Sequence, residues 1–126
     1  MRVATVALVV KDYDEAIGFY RDQLGFDLVA DTLLAPGKRW VLVAPQGGGA
    51  RLLLAQAGDD EERSRIGNQT GGRVGFFLET DDFAADHARF LANGVKFLET
   101  PRHEPYGSAA DFEDLYGNKW DLIQPK

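Results

Sequence analysis

The chain has 126 residues, 44% of them hydrophobic and 11% aromatic, enough apolar material for one domain with its own core. It contains no cysteine, which excludes disulfides, thiolate nucleophiles and cysteine-held zinc or iron–sulfur centres. Against 14 basic side chains stand 20 acidic ones, a net charge of −6 at pH 7, and the basic residues are scattered, so nucleic acid is not an expected partner.

Residues 3–10 form a short, β-rich apolar run that predicts a strand buried on at least one face. The run is too short to span a bilayer and no cleavage-site pattern follows it, so no membrane partner is expected and the location expected is cytoplasmic. Asp12 is a predicted N-cap for a helix whose apolar residues Tyr13, Ala16, Ile17, Tyr20 and Leu24 recur at three- and four-residue spacing, with Gly25 as its stop. Strands are predicted over 26–34, 39–44 and 51–56, separated by the turn signals PG and PQGGG. Residues 57–72 are polar and glycine-bounded, as a linker with one helical turn near Asp59 should be.

The second half repeats that order. A strand over 73–79 leads to a helix opened by Asp81 or Asp82, with a stripe of Phe83, His87, Phe90 and Leu91 and a stop at Gly94. Strands over 95–99, 108–112 and 119–124 follow. Leu8 corresponds to Phe76, Gly25 to Gly94 and Gly49 to Gly117; pairing 49–56 with 117–124 sets Leu53 on Asp121. The fold class is therefore α+β: two tandem β-α-β-β-β modules, 1–56 and 73–126, joined by the linker 57–72 in a single domain. They are expected to form a curved mixed sheet around a central cleft, with helices on the outer face.

Period-two alternation sorts the faces. Val6, Leu8, Val10, Val74, Phe76, Leu78, Trp120 and Leu122 are assigned to the helix side, which leaves Thr5, Arg73, Phe77 and Asp121 facing the cleft. Thr5, Leu53, Arg73 and Asp121 are the positions the repeat brings together, and two of them carry opposite charges. An ion pair between Arg73 and Asp121 is expected, since a buried unpaired charge is costly; in the sharper reading Arg73 binds a ligand anion that Asp121 orients. Asp111 shares the Asp121 face by its alternation with Phe112, as one half of an acid–base pair or as a solvated edge residue. Tyr106 is placed to reach over the cleft from its loop. His87 is read as a core or semi-buried histidine with one hydrogen bond, and His103, in TPRHEPYG, as exposed in a loop bounded by prolines.

The stretches VALVVKDYDEAIGFYRDQLGF and FEDLYGNKWDLI, within paired β-α-β-β-β modules, resemble the vicinal-oxygen-chelate superfamily over essentially the whole chain. That superfamily includes glyoxalase I, extradiol dioxygenases and the fosfomycin- and bleomycin-resistance proteins. The resemblance implies a homodimer. It also implies that the metal-ligand positions of metal-dependent members match Thr5, Leu53, Arg73 and Asp121. Only Asp121 could ligate a divalent cation well, and a guanidinium would stand where the ion sits, so neither metal nor cofactor is expected. The function expected is binding of a small organic molecule, as in the bleomycin-resistance branch, through Thr5, Leu53, Arg73, Phe77, Tyr106, Asp111 and Asp121. The alternative is a lyase or isomerase with Asp121 or Asp111 as catalytic base, or a glyoxalase-like metalloenzyme in which Asp121 is a ligand. Net charge favours a cationic ligand and Arg73 an anionic one.

Overall fold

A computed structural model describes all 126 residues. The chain divides into two compact units, Met1–Gly67 and Asn68–Lys126, and the boundary falls inside the predicted linker.

In the first unit, β1 (Thr5–Val10) is followed by α1 (Tyr13–Ile17), which continues as a π-helical turn over Gly18–Gln23; then come β2 (Asp27–Ala35), β3 (Lys38–Ala44), β4 (Arg51–Gln56) and the single turn α2 (Asp60–Arg63). Asp12 caps α1 by accepting the Glu15 backbone N–H at 2.8 Å, which satisfies one of the unpaired donors of the first turn. The sheet order is β1-β4-β3-β2, with β1 and β4 parallel and the other pairs antiparallel. Leu8, Val10, Ala16, Tyr20, Val41 and Leu54 are fully buried between sheet and helix. Arg39 ties the β2–β3 hairpin to α1 through Asp31 at 2.7 Å and Asp14 at 3.0 Å, with its guanidinium 5.1 Å from the Tyr13 ring centre.

In the second unit, β5 (Val74–Glu79) leads to α3 (Phe83–Ala92), then to β6 (Lys96–Phe97), β7 (Arg102–Glu104), β8 (Gly107–Glu113) and β9 (Lys119–Pro125). The order β5-β9-β8-β6 mirrors the first sheet, again with its first pair parallel, and β7 shares the outer edge of β8 with β6. One face of this sheet is aromatic. Phe76 stacks on Trp120 at 4.6 Å between ring centres, Trp120 stacks on Phe112 at 5.9 Å, and Phe112 meets Phe90 of α3 edge to face at 5.5 Å. Such buried rings typically lose about 3–5 kcal/mol on truncation to alanine, so this stack anchors the unit.

The turn before β9 is built by one carboxylate. Asp114 Oδ1 accepts the backbone N–H of Asn118 at 2.9 Å, of Gly117 at 3.1 Å and of Tyr116 at 3.2 Å, and its Oδ2 accepts from Asn118 and from the Trp120 indole. The EDLYGN stretch thus sets the register in which β9 begins.

Three expectations change here. The stretch TPRHEPYG, read as a loop, contains β7, in which Arg102 pairs with Ala109 and His103 with Ser108. The predicted strand over 95–99 shrinks to Lys96–Phe97. Leu91 is exposed, because α3 buries only Phe83 and Phe90 completely, with His87 half-buried against Phe83 and Phe97.

Candidate functional site

Along β9 the side chains alternate: Trp120 and Leu122 enter the aromatic core, and Asp121 points to the opposite face. Directly across on β8 stands Asp111, in register with Asp121; across on β5 stands Phe77, which is 61% exposed. β7 adds Arg102 to the same face, and Glu99 precedes it by one helical turn's worth of sequence. These residues make a compact acidic cluster around one guanidinium.

Three of the guanidinium's nitrogens have distinct roles. Nε donates to Glu99 Oε1 at 2.7 Å, and Nη1 donates to the Tyr106 hydroxyl at 2.8 Å. Nη2 lies 3.8 Å from Asp111 Oδ1 and 3.7 Å from Asp121 Oδ1, close enough for charge attraction and too far for a hydrogen bond. Glu99 Oε2 also accepts the Asp111 backbone N–H at 2.9 Å. Glu99 is therefore fully engaged in orienting Arg102 and β8.

Asp121 is only 9% exposed, and its Oδ1 is a buried side-chain oxygen with no hydrogen-bond partner. Burial, followed by the neighbouring Asp111 carboxyl through its charge and a shared hydrogen bond, pushes the Asp121 carboxyl up to about 6; Glu99 adds to this and Arg102 opposes it. Glu99 behaves differently. Burial pushes it up too, yet the Asp111 N–H and Arg102 outweigh that and hold it below the usual carboxylate range. Hydrogen bonding to Glu99 in turn raises Arg102.

Arg73 requires a correction. Its Nε donates to the Val74 carbonyl at 2.9 Å and its side chain is exposed, so the cation beside Asp121 is Arg102. The reason is a bulge. Val74 is in register with Lys119 while Phe76 is in register with Trp120, leaving Gly75 as an extra residue that reverses the alternation on its N-terminal side. Counting straight back from Phe77 therefore puts Arg73 on the wrong face. Thr5 and Leu53 lie on the first unit: Thr5 is exposed and in register with Arg51, and Leu53 is half-buried in register with Ala7 and Leu42. His103 Nδ1 lies 2.9 Å from Ser108 Oγ, and His87 is packed among rings.

The residues do not fit the divalent metal that the family resemblance implies. Of the four matching positions, Leu53 has no donor, Thr5 is a weak one and Arg73 is cationic, and no group of three or more histidine, aspartate or glutamate side chains is arranged to hold an ion.

Two sheets of matching strand order, each built from a β-α-β-β-β repeat, point to one class of protein. The model of the Glyoxalase/Bleomycin resistance protein/Dioxygenase superfamily matches residues 2–122, and the chain belongs to that superfamily. An uncharacterised protein of Shewanella frigidimarina is 54% identical over 97% of this chain and 92% of its own. Among solved structures, UcmS2 superposes with a TM-score of 0.84 at 26% identity, covering 98% of this chain and 97% of that one. TnmS3, described as an antibiotic binding protein from Streptomyces sp. CB03234, superposes with a TM-score of 0.79 at 34% identity, covering 100% and 97%. No helix is long and apolar enough to cross a membrane.

Proposed function

We propose that this protein binds a small organic molecule on the Asp121 face of the second unit, without a divalent metal. The observation that carries this reading is the Asp121 carboxylate: a buried oxygen without a partner is a cost of about 1–3 kcal/mol that folding alone has no reason to keep. A ligand donor would satisfy it. Phe77 offers an exposed ring opposite Asp121 for apolar contact, and Tyr106 and Arg102 form a polar margin. Similarity to an antibiotic-binding protein over the full chain supports the same reading. A thermal-shift panel of antibiotics and other small organic molecules tests it: some ligands should raise the midpoint of the wild-type protein, and the increment should shrink in Asp121→Asn. A panel in which no compound raises the midpoint contradicts the reading, and so does a stoichiometric transition metal in untagged protein by elemental analysis.

One observation favours a second reading. A carboxyl at about 6, beside a second carboxyl, is poised to exchange protons near neutral pH, as a lyase or isomerase needs. Asp121 would be the base and Asp111 its partner, with Arg102 placed to stabilise an enolate. Solvent deuterium exchange into carbon acids, lost in Asp121→Asn, would distinguish catalysis from binding alone. A homodimer and a cytoplasmic location complete the proposal; sedimentation at twice the 13.9 kDa chain mass checks the first.

A further inference from the structure

The cluster around Asp121 has an imbalance that narrows what it can bind. Three carboxyl groups, Glu99, Asp111 and Asp121, surround one guanidinium, and the Glu99–Arg102 contact at 2.7 Å consumes that cation's shortest bond. Arg102 Nη1 is committed to Tyr106. What remains for Asp111 and Asp121 is Nη2 at 3.8 and 3.7 Å, shared between two carboxyls that face each other in a cross-strand pair. Like charges in directly opposed positions repel. Lys119, two residues before Asp121 and in register with Glu113, which Lys96 already pairs at 3.4 Å, makes no ion pair with Asp111 or Asp121. The site is thus short of positive charge and rich in acceptors, and Asp121 Oδ1 is its buried, unpartnered acceptor.

Across from Asp121 on β5 stands an exposed aromatic residue, Phe77, in register with it. A carboxylate and an aromatic ring side by side recognise a particular chemistry: an organic ammonium, which donates a charge-assisted hydrogen bond to the one and lies against the other. We propose that the ligand of this face is an aromatic or otherwise apolar molecule carrying a protonated amine, held by Asp121 Oδ1 and Phe77. This rests on the small-molecule reading above and assigns the ligand's charge, which net charge and Arg73 left opposed in the sequence. An anionic ligand would meet two carboxylates. A dication would have to displace Arg102, whose Nη2 is equidistant from both within a tenth of an ångström.

The test uses the full chain and three matched probes, 2-phenylethylamine, 2-phenylethanol and 3-phenylpropanoate, followed by amide chemical shifts at Phe77, Asp111 and Asp121. The amine should bind about tenfold tighter than the alcohol, the value of one charge-assisted hydrogen bond, and the carboxylate more weakly than either. In Asp121→Asn the amine should fall to the alcohol's affinity, while Phe77→Ala should weaken amine and alcohol together. Equal binding of all three probes, tighter binding of the carboxylate, or an amine preference unchanged in Asp121→Asn overturns the amine assignment and leaves small-molecule binding standing. No perturbation of these amides by any probe at millimolar concentration overturns both. Perturbation by Zn²⁺ or Mg²⁺ at the same amides that displaces the amine also overturns it.

Discussion

Asp121 pays for its position in stability. Its carboxyl is raised from 3.8 to about 6 in the folded protein, so the folded state binds its proton more tightly than the unfolded chain does. A raised group contributes stability that is full below the unfolded value and is lost as pH rises through the folded one, here between about 4 and about 6. At neutral pH the ionised side chain therefore costs on the order of 2–3 kcal/mol, at 1.36 kcal/mol per unit. Asp121→Asn removes the ionisation. It should raise the urea-unfolding free energy by about that amount at pH 7 and leave it nearly unchanged at pH 4, so the wild-type decline across the window should flatten. A destabilised variant at pH 7 would mean that the carboxylate is structural. Arg102 supplies the complementary measurement. It opposes the rise, so in Arg102→Met the Asp121 carboxyl should titrate still higher, read from its side-chain carbon shift. No movement, or a downward one, would show that the 3.7 Å contact carries no charge coupling.

The site depends on β7, and β7 depends on a glycine at the next turn. Gly107 has φ +148, and a Cβ there would collide with the Gln124 carbonyl oxygen and lie 3.0 Å from Pro125 Cα. That carbonyl belongs to β9, held in register with β8, so it has no free side chain to move. Gly107→Ala should cost about 2–4 kcal/mol through backbone strain and overpacking, and it should pull the β7–β8 turn, with Arg102 and Tyr106, away from Asp121. Urea denaturation gives the first effect and the Asp121 titration the second. At this scale much of the fold was legible. The strand–helix–strand order, the N-cap at Asp12, a helical turn near Asp59, a helix opened by Asp81 or Asp82, and Asp111 on the face of Asp121 all follow from patterns of a few residues, because each is set by local chemistry or by strict alternation. Two things were not. β7 is three residues between two prolines, and only its pairing with β8 makes it a strand. The reversal at Gly75 hid Arg73's true direction, although a glycine inside a strand pattern is itself a signal for a bulge. Both errors fell on arginines, so the sequence located Asp111 and Asp121, missed Glu99 and misplaced the cation beside them.

At the scale of the molecule, the charge is unevenly shared. Six basic and ten acidic side chains lie in Asn68–Lys126, so the unit bearing the cluster carries four of the six net negative charges. A field of that sign accelerates encounter with a cation and does nothing for a neutral molecule of the same shape. The Debye length is about 8 Å at physiological ionic strength and about 3 Å at 1 M, so added salt removes long-range attraction while leaving the short Asp121 contact in place. The association rate constant of the phenylethylamine probe should therefore fall several-fold between low and molar salt, with its dissociation rate changing much less, whereas both constants of the matched alcohol should stay flat. Stopped-flow displacement separates the two. A salt effect confined to dissociation would place the electrostatics in the contact alone and not in the acidic surface around it, and an equal effect on the alcohol would trace it to hydrophobic salting instead.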